Sequence, residues 1–345
     1  MPSNKSIIFK AIPDGYPVVG EHMKLVTKEI DIENFSLADG DILVKNHYLS
    51  LDPYMRGKMR HSDVKSYLPA YEIGQVLNGF GVAIVVKSNN KKYQVGDYYM
   101  GLIGWEEYSH ITANVVSTEI LTKEISKYKV PESHFLGLLG IPGMSAYVGL
   151  NKIGQPKKGE TIFISAASGA VGQVVGQIAK IKGLRVIGST SDDSKIKYLE
   201  EELKFDGAFN YKTCNTDEKL KELCPNGIDI YFDNVGGETL DIAINHLNNF
   251  ARVVACGMIS QYNAKEHYGV KNIIQVFAKR VLIQGFLVGD HFQEMESFHK
   301  EMVEWFKQGK LKYKEDIVEG IQNAPQALVN VLTGKKFGKM IVKIC

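Results

Sequence analysis

Cysteine is scarce in this chain, and neither sign of charge is in large excess. Of the 345 residues only 4 are cysteine. None forms a C-x-x-C pair, which argues against a disulfide framework or a zinc knuckle and favours a reducing compartment such as the cytoplasm. The 41 basic and 39 acidic residues leave a formal net charge of +2. We therefore expect neither nucleic acid nor an anionic membrane as a partner.

Membrane-spanning and secretory signals are also lacking. The apolar start Ile7-Ile8-Phe9 is interrupted by Lys10 and Pro13, so no secretory signal is predicted. Residues 161–179 hold no charge, but they contain Gly, Gln and hydroxyl side chains, unlike a membrane span. We interpret this stretch as a buried strand followed by a buried helix.

The pattern of hydrophobic residues changes along the chain. The first 130 residues contain short β-branched runs and Gly-rich turns, which predict a barrel-like β domain. After Pro131 strands alternate with helices: strands at 161–166, 184–188, 228–233, 252–256 and 281–288, and helices at 170–182 and 193–204. This alternation predicts an α/β, doubly wound parallel sheet. We place the β domain at residues 1–130 and 310–345, with a late strand returning to it, and the nucleotide domain at 131–309.

A glycine-rich turn joins the first strand of that sheet to its first helix. In the turn, Gly169 would let the backbone approach a pyrophosphate, Gly172 would allow close helix-strand packing, and Ala170 and Val171 would open the helix. Ala167 occupies the position of the usual first glycine. The string alone fits a ligand-free turn equally well, but its placement in a strand-helix series favours dinucleotide binding.

The end of the second strand bears on the choice of cofactor. Asp192 lies 20 residues after Gly172, the spacing of a carboxylate that binds the ribose of NAD. The same residue also stands where a helix N-cap is expected, and we favour that interpretation. Lys195, in the first turn of the helix, could then reach a 2′-phosphate. NADP is the predicted cofactor.

The sequence lacks a recognisable set of metal ligands in its first half, and it lacks a serine nucleophile motif. The first half has no cysteine, and its histidines are scattered without the spacing of metal ligands, so no metal is predicted. No G-x-S-x-G is present. Tyr54 and Lys58 have the Tyr-x-x-x-Lys spacing, but Pro53 and Gly57 argue against a helix there, and the pair precedes the nucleotide fold. We interpret the spacing as coincidence.

Several segments together resemble the zinc-independent medium-chain dehydrogenase/reductases of the leukotriene B4 12-hydroxydehydrogenase, prostaglandin reductase and alkenal double-bond reductase type. The matching segments are LSLDPYMRG (49–57), GFGVAIVVKS (79–88), LGLLGIPGMSAY (136–147), SAASGAVGQVVGQIAK (165–180), FNYKT (209–213), YFDNVGG (231–237), CGMISQYN (256–263) and GKMIVK (338–343). The resemblance implies a GroES-like β domain interrupted by a Rossmann domain, and a homodimer.

The resemblance also implies an activity and a set of site residues. The activity is NADPH-dependent reduction of the carbon-carbon double bond of α,β-unsaturated aldehydes and ketones, including 15-oxoprostaglandin-like substrates. Tyr262 and Tyr54 would face the substrate, with Tyr262 as the hydrogen-bond donor to the carbonyl oxygen. The other implied cofactor contacts are Met144, Ser145, Lys195, Tyr211, Asn234, Val235, Cys256, Phe286, Leu287, Val288 and Lys336. Tyr211 and the run 286–288 also fit plain strand packing.

Lys336 is a departure from the family pattern, because the family commonly has Asn at this position of the G-x-N-x-G-K segment. Lysine donates to a phosphate but cannot accept from a hydroxyl, which puts that contact in question. Two other functions remain open on sequence alone: a quinone reductase of the same superfamily, and a non-catalytic NADPH-binding regulatory protein.

Overall fold

The computed structural model describes residues 2–116 and 128–344 and divides into two units. Unit 1 consists of residues 1–136 and 315–345, and unit 2 of residues 137–314. Unit 1 is thus built from two separate stretches of the chain, with unit 2 inserted between them.

Unit 1 is rich in strands. Its strands are β1 (Ser3–Phe9), β2 (Met23–Glu29), β3 (Ile42–Ser50), β4 (Asn78–Ser88), β5 (Tyr98–Gly104), β6 (Tyr108–Ile111), β13 (Glu315–Glu319) and β14 (Lys339–Lys343). Its helices are α1 (Tyr54–Lys58), α2 (Ala113–Val116) and α10 (Ala324–Leu332), with 3-10 turns at Glu132–Leu136 and Ile321–Asn323. The main sheet has the order β13-β14-β3-β4-β5, with β6 also paired to β3, and β1 and β2 form a separate antiparallel pair.

The core of unit 1 explains its alternating strands. Ile7 and Phe9 of β1 and Val82 and Ala83 of β4 are fully buried. Trp105, after β5, is fully buried as well. In β1 the buried Ile7 and Phe9 alternate with the partly exposed Ile8, as expected of a strand with one face on the core. The adjacent Val82 and Ala83 point to opposite faces, so β4 is buried on both.

The segment 54–58 is helical, so the expectation against a helix there was wrong. Pro53, with φ −59°, is the residue before the first helical one, a position where proline costs little because its missing N–H would have no intrahelical partner. Gly57 is exposed, and a Cβ at that position would meet open space. Main-chain bonds from Met55 N to Asp52 O and from Arg56 N to Pro53 O, both 3.1 Å, close the turn.

Unit 2 alternates strands and helices, as predicted. Its strands are β7 (Thr161–Ile164), β8 (Arg185–Thr190), β9 (Gly207–Asn210), β10 (Ile228–Asp233), β11 (Leu247–Ala255) and β12 (Leu282–Gly285). Its helices are α3 (Ile141–Val148), α4 (Gly172–Ile181), α5 (Asp193–Lys197), α6 (Thr216–Leu223), α7 (Gly237–His246), α8 (Ile274–Ala278) and α9 (Met295–Lys307), with π-helical turns at Gly149–Gly154 and Tyr198–Glu202 and a 3-10 turn at Val288–Glu294. All neighbouring strands pair in parallel, in the order β12-β11-β10-β7-β8-β9.

The uncharged stretch 161–179 is a buried strand feeding a buried helix, which confirms that interpretation. All four residues of β7 are buried, as are residues 172–179 of α4. Phe163 of β7 stacks on Tyr231 at 5.0 Å and on Phe209 at 6.0 Å between ring centroids. Among the described residues, no helix is long and apolar enough to cross a membrane.

Several predicted boundaries in unit 2 were wrong, among them the start of β11, which is Leu247 and not residue 252. β8 continues past Gly188 to Thr190, because Thr190 still pairs with Asn210 of β9. The helix predicted at 193–204 becomes a π-helical turn after Lys197. The strand predicted at 281–288 is only Leu282–Gly285, since the chain then enters a 3-10 turn in which Asp290 N donates to Leu287 O at 3.1 Å.

Candidate functional site

The turn between β7 and α4 has the tight geometry that its glycines predict. A Cβ on Gly172 would lie 2.6 Å from Ala166 O and 2.7 Å from the Cα of Ala167, so no side chain fits there. Ala166 itself has φ +48°, a left-handed conformation that is uncommon outside glycine. Gly169, Ala170 and Val171 are partly exposed before the first turn of α4, where helix amides can bind an anion.

Ala167 is buried in that turn, against the neighbouring strand. Its N–H donates to Ser189 O at 2.9 Å, and its methyl group occupies the space that a Cβ on Gly188 would need, at 2.7 Å. The adjacent Ser168 hydroxyl lies 2.9 Å from the Thr190 hydroxyl. Alanine in place of glycine is therefore accommodated because Gly188 supplies the missing volume.

Asp192 caps α5, which confirms the favoured interpretation of this residue. Its Oδ1 accepts the Ser194 N–H at 2.9 Å, and bonds from Ser194 lower the pKa of the carboxyl below its ordinary value. Lys195 follows in the first turn, with its Nζ 3.0 Å from the Ser191 hydroxyl. The first turn of α5 beyond β8 thus contains a capping carboxylate and a buried amine that is held beside Ser191.

Tyr211 lies directly after β9, at the same edge of the sheet as the turn that contains Lys195. Its N–H donates to Thr190 O at 3.1 Å, and its side chain is 45% exposed. The alternative of plain strand packing is therefore wrong for Tyr211.

Asp233, at the end of β10, is a residue that the sequence reasoning missed. Its Oδ1 accepts the N–H of Val235 at 2.9 Å and of Gly236 at 2.8 Å, and the hydroxyl of Tyr231 at 2.7 Å. Its Oδ2 receives no hydrogen bond from the described residues, and burial raises the pKa of the carboxyl. An acid at the carboxyl end of a largely apolar strand was the signal that could have identified it.

The end of β10 is bonded to the turns that follow both neighbouring strands, β7 and β11. Asn234 Nδ2 donates to Ser165 O at 2.8 Å, which ties the end of β10 to the turn after β7. Asp233 O accepts the N–H of Cys256 at 2.9 Å and of Gly257 at 3.0 Å. Burial, with the Asp233 charge, raises the pKa of the Cys256 thiol to about 12, so this thiol is not a nucleophile near neutral pH.

Tyr262 lies in the turn that follows Cys256. Its hydroxyl oxygen accepts the Met258 N–H at 3.1 Å, a bond that leaves the phenolic proton to be donated. Burial raises the pKa of this hydroxyl, so the side chain is protonated at neutral pH. The hydroxyl also lies 3.4 Å from where a Cβ on Gly257 would stand, so glycine there leaves room beside it.

The remaining predicted contacts of unit 2 are dispersed. Met144 is fully buried in α3, and the Ser145 hydroxyl donates to Ile141 O at 2.8 Å within the same helix. Leu287 is 42% exposed, and Phe286 and Val288 are half-buried, so the interpretation of 286–288 as a buried strand was wrong.

Two predicted residues belong to unit 1. Tyr54 opens α1 and is half-buried, and burial together with the charge of Asp52 raises its pKa well above the ordinary value. Lys336 donates from Nζ to Gly338 O at 2.7 Å, so its amine helps to hold its own loop. Lys58, one turn after Tyr54, bonds Asn78 Oδ1 at 2.5 Å, and burial lowers its pKa to about 8.

Comparisons with known proteins agree with this division of the chain. The family profile described as the N-terminal domain of oxidoreductase matches residues 5–118, and the one described as zinc-binding dehydrogenase matches residues 170–308. In the described part of the chain, however, no three His, Cys, Asp or Glu side chains are grouped so that they could hold a metal ion.

Individual relatives match over almost their whole length. A 2-alkenal reductase (NADP(+)-dependent) of Nicotiana tabacum is 42% identical over 99% of this chain and 98% of its own. A (+)-pulegone reductase of Mentha piperita is 40% identical over 100% and 99%. The crystal structure of CurA in complex with NADPH from Vibrio vulnificus superposes with a TM-score of 0.89, at 39% identity, over 99% of both chains. The chain belongs to the zinc-independent medium-chain dehydrogenase/reductase family.

Proposed function

We propose that this protein reduces the carbon-carbon double bond of α,β-unsaturated aldehydes and ketones with NADPH. The observation that carries the proposal is the place of the Tyr262 hydroxyl, a protonated donor at the same sheet edge as the dinucleotide turn. Two relatives named as reductases of a 2-alkenal and of (+)-pulegone support the substrate class. We further propose a cytoplasmic location, and 15-oxoprostaglandin-type enones among the substrates.

The residues at the carboxyl edge of the unit 2 sheet fit NADPH. The N–H groups of residues 170–172, at the start of α4, would face the pyrophosphate, while the Gly169 N–H closes the turn on Ala166 O at 2.9 Å and the space at Gly172 admits no side chain. Lys195 and Tyr211 would hold the 2′-phosphate, while Asp192 is engaged as the cap of α5. A relative solved with NADPH has the same fold. Asn234, Val235 and Cys256 would border the nicotinamide end, with Met144, Ser145 and residues 286–288 as further contacts.

The chemistry requires a donor where negative charge develops. NADPH, when bound, supplies a hydride to the β-carbon of the substrate. Charge then accumulates on the carbonyl oxygen, and the Tyr262 hydroxyl donates a hydrogen bond to it. The elevated pKa keeps that proton on the phenol while the charge develops. A proton, from solvent or from Tyr262, then adds to the α-carbon and completes the saturated carbonyl product. We assign Tyr54 to substrate contact and Lys336 to a cofactor contact.

The test is oxidation of NADPH at 340 nm by the purified protein with a panel of compounds. The panel contains a 2-alkenal, an enone, a 15-oxoprostaglandin, a quinone and a saturated aldehyde. We expect turnover of the alkenal and the enone, with saturated carbonyl products. Turnover of the quinone alone would assign a quinone reductase, and NADPH binding without turnover of any compound would assign a regulatory protein.

Removal of metal is expected to leave activity unchanged. The described residues offer no metal-binding group, and the proposed chemistry places a hydroxyl where a Lewis acid would otherwise act. After exhaustive dialysis against a chelator, we expect unchanged kcat and well below about one zinc per chain by elemental analysis. A stoichiometric zinc whose removal abolishes activity would contradict this assignment.

We propose a homodimer formed through the free edge of the unit 2 sheet. All four residues of β12 are exposed, and β12 is the last strand of the sheet order. Nearby, Phe277 is 81% exposed and Ile274 is 64% exposed. An exposed edge strand with apolar side chains is normally covered. In a dimer about a two-fold axis, β12 of each copy would cover β12 of the other.

Substitution of Leu282 is expected to separate the two copies. Leu282 of β12 is 47% exposed in the single chain. The Leu282→Glu substitution introduces a carboxylate that the dimer interface would bury without a partner. By sedimentation equilibrium we expect twice the chain mass for the unmodified protein and the chain mass for this variant. The matched control is Val95→Glu, since Val95 is also an exposed apolar residue, at 68%; a dimer of Leu282→Glu would contradict the proposal.

A further inference from the structure

A buried ion pair lies next to the residue that we assign to substrate contact. Lys339 is fully buried, and its Nζ donates to Asp52 Oδ1 at 2.7 Å and to Leu51 O at 2.8 Å. The second carboxylate oxygen of Asp52 accepts the Ser50 hydroxyl. Tyr54 begins α1 two residues after Asp52.

Stability alone does not account for this pair. Removing an ammonium from water costs several kcal/mol, and replacing buried ion pairs by apolar side chains of similar volume is often neutral or stabilising. Burial lowers the pKa of Lys339, and the Asp52 charge acts in the opposite direction. The pair therefore needs another explanation, and its neighbours in unit 1 provide one.

Lys339 joins two segments that hold candidate site residues. It directly follows the loop of Lys336, and Gly338 in that loop has φ +82°. On the other side, its ammonium fixes Leu51 O and the Asp52 carboxylate, while Asp52 O accepts the Met55 N–H that closes the first turn of α1. We propose that Lys339, through Asp52, is a positioning residue for the Tyr54 side chain. This inference rests on the proposed function, because it assigns Tyr54 to the substrate.

The electrostatic environment of Tyr54 agrees with this role. Burial, and after it the Asp52 charge, raises the pKa of the Tyr54 hydroxyl, so the phenol is sensitive to the charge of this carboxylate. Lys339 balances that charge and holds the carboxylate in one orientation. Without the ammonium, Asp52 would be a buried charge free to turn toward other donors, and α1 would lose the anchor before its first residue.

The first test separates positioning from stability. In Ser50→Ala/Asp52→Leu/Lys339→Met the whole polar cluster is replaced by apolar groups, which avoids leaving a lone buried charge. We expect Tm close to that of the unmodified protein, kcat lower by about 10- to 100-fold and an unchanged KM for NADPH. The matched control is Arg252→Met, which breaks the Arg252–Glu160 pair of unit 2 at 2.7 Å and should lower Tm with kcat unchanged. Full kcat in the apolar variant would overturn the proposal.

The second test asks whether the effect passes through Tyr54. In a Tyr54→Phe background, the same triple substitution should change kcat by less than about threefold, because coupled residues are not additive. If the triple substitution lowers kcat in the Tyr54→Phe background by the same factor as in the unmodified protein, the two effects are independent and the role through Tyr54 is overturned.

A third measurement does not depend on turnover. Amide hydrogen exchange in the apolar variant should be about tenfold faster in residues 52–58 and unchanged in α4. Unchanged exchange in residues 52–58 would overturn the positioning role even if the protein reduces unsaturated carbonyl compounds as proposed. Faster exchange in a protein that reduces no unsaturated carbonyl would support the anchoring of α1 while the proposed function fails.

Discussion

Replacing Tyr262 with Phe is expected to lower kcat for an enone by about 10- to 1000-fold, the range for one oxyanion donor with a partial substitute nearby. The change keeps the ring and removes the hydroxyl that accepts the Met258 N–H. NADPH affinity should stay near normal. The rate is measured by stopped flow with NADPH and with deuterated NADPH. A slower rate with the deuterated cofactor establishes that hydride transfer limits kcat, which the comparison requires.

The matched control for this variant is Tyr268→Phe. Its hydroxyl lies 3.0 Å from Asp241 Oδ2, so this tyrosine already has a partner within the fold. Removal of the Tyr268 hydroxyl should leave kcat within about twofold of the value for the unmodified protein, because this hydroxyl takes no part in the proposed reaction. If hydride transfer is limiting and Tyr262→Phe has nearly unchanged kcat, Tyr262 is not the donor, and Tyr54 becomes the candidate.

Lys195→Ala is expected to raise the KM for NADPH by about tenfold or more and to spare NADH. A charge-assisted hydrogen bond contributes roughly 1.5–3 kcal/mol, and Asp192, bound to the Ser194 N–H at 2.9 Å, supplies no competing carboxylate. Initial rates with both cofactors provide the measurement. Lys197→Ala is the matched control, because Lys197 is an exposed lysine of the same helix. Equal use of NADH and NADPH by the unmodified protein would contradict the assignment.

The sequence was sufficient where local chemistry decides the structure. Asp192 before a helical period predicts a cap, and the structure has one. The strand-turn-helix around Gly172 was predicted from residues within one short window. At 286–288 the apolar run was indistinguishable from a buried strand, because burial depends on what covers the edge of the sheet and not on the run itself.

Other features required contacts between distant positions. The partner of Asp52 stands 287 residues away, and no local pattern marks an Asp-Lys pair over that separation. The helix at Tyr54, by contrast, was missed for a local reason. Propensity counted against Pro53 and Gly57, but proline is tolerated just before the first helical residue, and main-chain bonds from residues 55 and 56 to residues 52 and 53 close the turn. The sequence could have marked Asp233, but its contacts with Ser165 and Cys256 exist only once β7, β10 and β11 lie side by side.

The two-segment construction of unit 1 has a consequence for synthesis on the ribosome. β3 pairs with β4 on one side and with β14 on the other, but Lys339 is made 287 residues after Asp52, about 15 to 60 s later at roughly 5–20 residues per second. During that interval only β6 covers this flank of β3, at residues 42–45, so residues 48–50 are unpaired there, beside a carboxylate with no counter-ion. A nascent chain in this state presents an open β edge, so chaperone demand should be greatest before the last strand emerges.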